Sequence, residues 1–273
     1  MLKATIIVST YNSPNYLRLV LDALRDQDTQ NFEVIIADDG SSADTKALID
    51  KVKIDFPQPL KYIWHEDLGY RLASIRNKAV ASASGNYLIF IDGDCIPRKN
   101  FVRNHIKLAE ENYFVAGKRV LLSKSFTEKI LNGYVQKIAT FTLWHWFRLR
   151  LNNSCNRFLS LLSLPDSNSR KIKAKKWQGA KGCNLALWKK DFIAINGFDE
   201  NYIGWGYEDS DLIIRLIRNG ISRKEGSFSV TLLHLWHPEN NKSKEQENLI
   251  RLKEIEQSNK IKASKGIDQY YHG

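Results

Sequence analysis

Three short apolar runs, each ending in a polar turn, constrain this 273-residue chain more than anything else in it. ATIIVS (4–9) leads into Ser9-Thr10-Tyr11-Asn12, FEVIIA (32–37) into Asp38-Asp39-Gly40-Ser41, and YLIFI (87–91) into Asp92-Gly93-Asp94. A strand with one wet face alternates apolar and polar residues. A continuous apolar run is buried on both faces, as in a parallel sheet covered by helices. The segments between the runs supply those helices. Ser13-Pro14 reads as an N-cap followed by proline at the first helical position, and Leu17, Val20, Leu21 and Leu24 follow at helical spacing. Helices are expected again over 43–52 and 72–83, with a strand over 60–64 between them. This alternation predicts an α/β fold, a mainly parallel sheet flanked by helices, over the first 120 residues. With 43% hydrophobic and 11% aromatic residues the chain can bury a real core, which excludes disorder as its main state.

Downstream the pattern changes. From Lys124 to Lys181 there are 12 Lys and Arg against 2 Asp and Glu, within an overall charge of +11. This basic segment, 123–181, holds the aromatic run IATFTLWHWF (138–147), then Arg148 and Arg150, an apolar stretch at 158–164 and RKIKAKK at 170–176. It reads as a helical insertion. Either its aromatics pack on the core and its lysines are solvated, or the aromatics lie in a bilayer interface with the cations on anionic lipid. Ordered signals return at 182–188 and 197–220, a strand is expected over 227–233, and a charged helix from about residue 243. No apolar stretch reaches the length of a membrane-spanning helix, and the N-terminal run is too short for a secretory signal. Cys95, Cys155 and Cys183 form no C-x-x-C pair. A cytoplasmic location with reduced thiols is expected, with peripheral attachment to the cytoplasmic face of the inner membrane if the bilayer reading holds.

Carboxylates at the carboxyl ends of parallel strands lie where open α/β sheets bind ligands. Asp92 and Asp94, with Gly93 allowing close approach, suit a hard divalent cation that neutralises a diphosphate leaving group. The plainer reading is a strand-to-turn junction, since Asp and Gly favour turns. Three polar turns on one sheet edge make a pocket in which Tyr11 contacts a base and Asp39 accepts from a ribose or uracil donor. No G-x-G-x-x-G follows the first strand and no G-x-x-x-x-G-K occurs, against dinucleotide and P-loop sites.

The succession S-T-Y-N, D-D-G-S, L-G-Y-R-L-A-S-I-R-N-K-A (68–79) and D-G-D resembles the family 2 glycosyltransferases of the GT-A fold, in order and spacing, over residues 3 to 120. NGFDENYIGWGYEDSDLIIR (196–215) resembles the C-terminal motif of β1,4-galactosyltransferases and bacterial chondroitin polymerases. The resemblance implies an inverting, metal-assisted transfer of a hexose or N-acetylhexosamine from a UDP-sugar to a glycan or lipid-linked glycan acceptor. It points to assembly of bacterial surface polysaccharide or lipopolysaccharide. Position by position, Thr10, Tyr11, Asn12 and Asp39 would hold the nucleoside, Arg71, Arg76 and Asn77 would face nucleotide or phosphate, and Asp92 would contact ribose or sugar. Asp94 would ligate Mn²⁺ or Mg²⁺, with His237, a better match than His234, completing the site. Asp209 would be the general base for the acceptor hydroxyl, with Glu208 on acceptor or donor sugar, Trp205 and Gly206 at the acceptor, and Asn184 near the donor.

Each assignment has a plainer alternative. Arg76 could be a solvated helix charge, Trp205 core, Asn184 a strand start and His237 packing. Glu208, Asp209 and Asp211 could simply complement a helix dipole. The galactosyltransferase motif commonly has a second glycine where this chain has Tyr207. The organisation so implied is one GT-A domain over 1–273: a nucleotide-sugar-binding half (1–120), the basic insert (123–181), an acceptor and catalytic half (182–240) and a C-terminal helix and tail (241–273). Two other classes fit parts of the sequence. A non-catalytic nucleotide-sugar-binding subunit is disfavoured by the joint presence of Asp92, Asp94, Glu208 and Asp209. RNA binding through the basic segment lacks any recognisable module, so no nucleic-acid partner is expected.

Overall fold

A computed structural model describes residues 2–239 and 241–271, so both extremities of the expected 1–273 span, residue 1 and residues 272–273, lie outside the described residues. The first half runs β1 (Ala4–Thr10), α1 (Pro14–Arg25), β2 (Phe32–Asp38), α2 (Ala43–Lys53), β3 (Leu60–Trp64), α3 (Leu72–Ala81) and β4 (Tyr87–Asp92). It continues through β5 (Cys95–Ile96), α4 (Phe101–Leu108), β6 (Tyr113–Ala116) and β7 (Lys118–Leu121). The basic segment contributes α5 (Lys124–Leu131) and α6 (Leu143–Leu151). The chain then forms β8 (Asn184–Trp188), α7 (Lys189–Ala194), α8 (Glu208–Arg218), β9 (Ser222–Glu225), β10 (Thr231–His234) and α9 (Glu245–Gln257).

Seven strands make one sheet in the order β3-β2-β1-β4-β8-β6-β9, and β5-β10-β7 make a second. β3, β2, β1 and β4 run parallel, whereas β8 is antiparallel to both β4 and β6. The apolar runs explain why the parallel part sits in the middle. Ile6, Val8, Val34 and Ile89 pack on one face with Leu17, Val20, Leu21 and Leu24 of α1. Their neighbours Ile7, Ile35, Leu88 and Phe90 pack on the other face with Ile75 and Val80 of α3 and Leu212 and Leu216 of α8. Burying each such side chain contributes about 1.5–3 kcal/mol, so the two helix layers fix strand register as well as sheet position.

Three local expectations are corrected. Ser13 precedes α1 but does not cap it, because its Oγ donates to Tyr11 O at 2.9 Å. The strand expected over 227–233 starts only at Thr231: Val230 N–H donates to Gly226 O at 3.0 Å and Phe228 is held at φ +59°, which makes the preceding stretch a turn. The basic segment is only partly solvated. Arg170 is buried and donates to the carbonyls of Leu164, Glu225 and Ser227, while Lys224 bridges Asp166 at 2.6 Å and Glu110 at 2.9 Å. Of the aromatic run, Trp146 is fully buried beside Phe141, with ring centroids 5.9 Å apart, whereas Trp144 on the same helix is exposed.

His105 of α4 is fully buried against Phe101, ring centroids 4.6 Å apart, and burial pushes its pKa down to about 3. In an unfolded chain histidine titrates near 6.5, so the folded state resists a proton that the unfolded state accepts. Its contribution is complete above about pH 6.5 and is lost as the pH falls toward 3, at about 1.4 kcal/mol per pH unit for this one proton. In denaturant titrations between about pH 6 and 4, His105→Gln is expected to show a pH slope smaller by one proton than the parent. An unchanged slope would mean that His105 is protonated inside the fold.

Candidate active site

The chain leaves β1 for β2 on one side and returns to β4 on the other, so the carboxyl ends of β1 and β4 border the crevice at which open α/β sheets bind ligands. Ser9 pairs with Asp92 across it, and Gly93 N–H donates to Ser9 O at 2.7 Å. A Cβ on Gly93 would lie 3.1 Å from both Ser9 O and Thr10 Oγ1, so glycine allows the turn to close against β1. Thr10 Oγ1 is buried there with no hydrogen-bond partner among the described residues.

The turn after β1 is braced against the turn after β2. Asn12 N–H donates to Ser41 Oγ at 2.7 Å, and Asn12 Oδ1 accepts from Ser42 N–H at 2.9 Å. Tyr11 keeps an exposed ring while its hydroxyl donates to Asp67 at 2.8 Å. Asp39 is buried, with Oδ1 2.6 Å from His65 Nε2 and Oδ2 accepting from Arg71 N–H at 2.8 Å. The Arg71 guanidinium donates to Glu66 O. Lys78 Nζ lies 3.2 Å from His65 Nδ1. An ammonium only donates, so the His65 proton sits on Nε2 and is given to Asp39. His65 does not stand out in the sequence, although it follows β3 at the same sheet edge where Asp39 follows β2. The rule that finds Asp39 would also find it.

Deeper in the crevice, Arg76 is 1% exposed and joins three elements. Its Nε donates to Ser9 Oγ at 3.0 Å, one terminal nitrogen to Asp92 Oδ1 at 2.9 Å and the other to Glu208 Oε1 at 3.3 Å. It is therefore not a solvated charge: it is buried at the site on the side chains of Ser9, Asp92 and Glu208. Burial and the adjacent Asp209 push the Glu208 carboxyl up to about 7, with Arg76 opposing. Asp209 Oδ2 accepts from Gly182 N–H at 2.9 Å and its Oδ1 accepts from the Ser210 hydroxyl at 3.2 Å. Gly182 belongs to the segment Gly182-Cys183-Asn184 that the resemblance places along the sugar pocket, and its N–H is what reaches Asp209. A Cβ there would meet Arg76 at 2.8 Å and Asp209 Cβ at 3.3 Å.

The loop before α8 aims these acids. Gly204, Gly206 and Tyr207 all take positive φ, +82°, +109° and +72°. Tyr207 thus keeps the backbone a glycine would adopt, at a cost of about 1–2 kcal/mol. Trp205 is half-buried, with Lys242 Nζ 5.3 Å from its ring centroid, and a Cβ on Gly206 would touch nothing within 4 Å. Of the three acids that open α8, Asp211 serves the fold, being fully buried and paired with buried Arg215 at 2.5 Å. Arg215 in turn donates to Ile195 O and Gly197 O, both at 2.8 Å.

Two expected site residues are placed elsewhere. The Asn77 amide donates to Phe198 O at 2.9 Å and Glu200 at 3.0 Å and accepts from Phe198 N–H at 3.0 Å, which ties α3 to the 198–200 segment instead of facing nucleotide. Asn184 donates to Lys118 O at 2.8 Å and Val230 O at 2.7 Å, with its Oδ1 3.3 Å from His105 Nε2. Its amide is saturated by protein and holds the two sheets together.

On the other side of Gly93, Asp94, His234 and His237 offer ligand atoms that all lie within 4.8 Å of one another. Asp94 Oδ2 is 3.0 Å from His237 Nε2 and 3.7 Å from His234 Nε2. His237 Nδ1 lies 2.6 Å from Pro238 O, so it donates there and directs Nε2 toward Asp94. The hydrogen bond to Asp94 raises the His237 pKa, whereas burial pushes His234 down to about 4. One carboxylate and two imidazoles are a donor set that fits Mn²⁺, so both histidines are placed for this role where the resemblance selects only His237.

An open α/β sheet with carboxylates gathered at its switch point, and a second acidic pair delivered by a later helix, is the architecture of a GT-A glycosyltransferase. Residues 5–160 match Glycosyl transferase family 2, and the chain belongs to that family. Residues 167–237 match the N-terminal domain of galactosyltransferase. Chondroitin synthase of Escherichia coli is 28% identical over 228 residues, 79% of this chain, and the chain spans only 32% of that relative's length. Among solved structures, Staphylococcus aureus TarS 1-349 in complex with UDP-GlcNAc superposes with a TM-score of 0.60 at 16% identity, covering 98% of this chain and 69% of that one. The mannosyltransferase PcManGT of Pyrobaculum calidifontis, in complex with GDP-Man and Mn²⁺, gives 0.60 at 16% identity, covering 86% and 57%. At such identities the two structures establish the shared fold.

Proposed function

We propose that this family 2 glycosyltransferase moves a hexose or N-acetylhexosamine from a UDP-sugar to a glycan or lipid-linked glycan hydroxyl with inversion, assisted by Mn²⁺ or Mg²⁺. What carries this reading is the convergence of Asp92, Glu208 and Asp209 around buried Arg76, beside the Asp94–His234–His237 cluster. The neighbours that bind UDP-GlcNAc, and GDP-Man with Mn²⁺, support a nucleotide-sugar donor and a divalent ion. Asp94, His234 and His237 would hold the ion, which when bound neutralises charge on a diphosphate leaving group. Thr10, Tyr11, Asn12 and Asp39 form the nucleoside edge. Asp209, oriented by Gly182 N–H and Ser210, takes the proton of the acceptor hydroxyl as that oxygen attacks the anomeric carbon. Glu208, titrating near neutrality, can donate to or accept from a sugar hydroxyl. Trp205 and Gly206 line the acceptor side. The division into a donor half (1–120), basic insert (123–181), acceptor half (182–240) and C-terminal part (241–273) belongs to the same proposal, as does a role in bacterial surface glycan assembly on the cytoplasmic side.

Thermal unfolding with UDP, GDP, CMP and dTDP, each with and without Mn²⁺, tests it. UDP is expected to stabilise the protein only with metal, by about 2.7 kcal/mol at a hundredfold excess over Kd, and Asp94→Ala is expected to abolish the metal-dependent part. Intact Mn²⁺-stimulated UDP binding in that variant would remove the metal assignment. Stabilisation by another nucleotide would replace the donor.

A further inference from the structure

The site described above makes no use of the outer face of α6. Trp146 anchors this helix from below, while Leu143, Phe147 and Leu151 recur at four-residue spacing on its outer side with Trp144 beside them. Trp144 is 64% and Leu151 66% exposed. Ring contacts make the stripe continuous: Trp144 stacks on Phe147 with centroids 5.5 Å apart, and Phe147 meets Phe158 at 5.6 Å, next to exposed Leu159. Between Glu128 and Asp166 the sequence carries positive charge only: Lys129, Lys137, Arg148, Arg150 and Arg157. Arg148, Arg150 and Arg157 are exposed and form no ion pair among the described residues.

We propose that this face docks on an anionic lipid bilayer, with Leu143, Trp144, Phe147 and Leu151 entering the headgroup region and the three arginines meeting lipid phosphates. An apolar stripe rimmed by unpaired cations is what an interfacial helix presents to such a surface. A second copy of the chain fits poorly, because two faces of the same positive sign would meet. A nucleic acid would find the arginines for its phosphates and Trp144 with Phe147 for a base, but Leu143, Leu151 and Leu159, the rest of the exposed apolar face, give further bases nothing to stack on. No helix among the described residues is long and apolar enough to cross a membrane, so contact of this kind is interfacial. The helix that precedes this face in the chain also reaches the segment carrying His237. α5, just upstream, holds Trp236 through Thr127 Oγ1, which accepts Trp236 N–H at 2.9 Å, and Lys124 Nζ lies 5.0 Å from the Trp236 ring centroid, one residue before His237. Docking would thus keep the crevice close to the surface on which a lipid-linked acceptor resides. It depends on no particular donor sugar.

Co-sedimentation of the full chain with vesicles of phosphatidylcholine alone, or mixed with phosphatidylglycerol, tests the face. Binding is expected only to the anionic vesicles and to weaken with salt. The triple variant Leu143→Ser, Trp144→Ser, Leu151→Ser and the triple variant Arg148→Gln, Arg150→Gln, Arg157→Gln are each expected to weaken it by about tenfold or more. These positions are exposed, and an unchanged unfolding temperature checks that the fold is intact. Absence of binding to anionic vesicles overturns the proposal, as does full binding by the leucine and tryptophan variant. Binding of a single-stranded RNA oligonucleotide without any vesicle binding also overturns it and assigns the face to nucleic acid.

Discussion

Asparagine at position 209 is expected to lower sugar transfer by about 10³-fold while leaving UDP-sugar binding in place. The substitution preserves shape. Its amide oxygen can still accept from Gly182 N–H, the bond that Asp209 makes at 2.9 Å, so the loop entering β8 keeps its position. What disappears is a group able to take a proton, and general bases typically contribute about 10²–10⁴ in rate. The loss should fall on kcat with KM for the donor nearly unchanged, because an interaction made only in the transition state is removed. Steady-state kinetics with UDP-sugar, alongside calorimetric donor affinity, separates the outcomes. Unchanged turnover would place the base elsewhere, with Glu208 the next residue to replace. Loss of donor binding together with turnover would give Asp209 a structural role instead.

Replacing Arg215 by leucine is expected to destabilise the protein by about 3–5 kcal/mol, the cost of leaving one member of a buried ion pair alone. Both partners are fully buried, and Asp211 Oδ1 already lacks a hydrogen-bond partner among the described residues. The carbonyls of Ile195 and Gly197 would lose their donor as well. Burial already raises the Asp211 pKa against the opposing charge of Arg215. In the variant Asp211 would bind a proton more tightly folded than unfolded, so its stability should fall as the pH rises above the ordinary carboxylate range. A drop of roughly 10 °C in Tm is the expected reading, with urea titrations as the check. Asp211→Leu combined with Arg215→Met should recover much of the loss, because an apolar pair leaves no orphan charge. If Arg215→Leu alone is as stable as the parent, the ion pair does not hold α8 in place.

Much of the fold is readable in the sequence because the parallel strands are buried on both faces and therefore appear as unbroken apolar runs. The strand expected over 87–91 is seen as Tyr87–Asp92, and the helix expected over 43–52 as Ala43–Lys53. The second sheet is not readable. β5 is two residues long and pairs with Leu233 and His234, far along the chain, so no local periodicity betrays it. The site divides in a similar way. Polar turns at strand ends can be lined up on one edge from sequence, since the edge follows from parallel topology. The direction a side chain takes from that edge cannot. Asn77 and Asn184 have the same chemistry whether they meet a ligand or saturate backbone groups. Arg76 looks like one more charge on a helix until burial places it between Asp92 and Glu208.

That guanidinium reaches from α3, inside the family 2 stretch, to Glu208 of α8, which lies beyond it, and this bears on how such chains can be recombined. A hybrid that joined the family 2 stretch of this chain to a foreign second half would inherit Arg76 and Asp92 without Glu208. Unless the incoming helix delivered an acid to the same spot, the hybrid would bury a cation with one of its two carboxylate partners missing. The two stretches are therefore compatible only as a matched set, and under the proposed function changes of acceptor preference should come more readily from the loop at 204–207 than from exchange of the whole stretch.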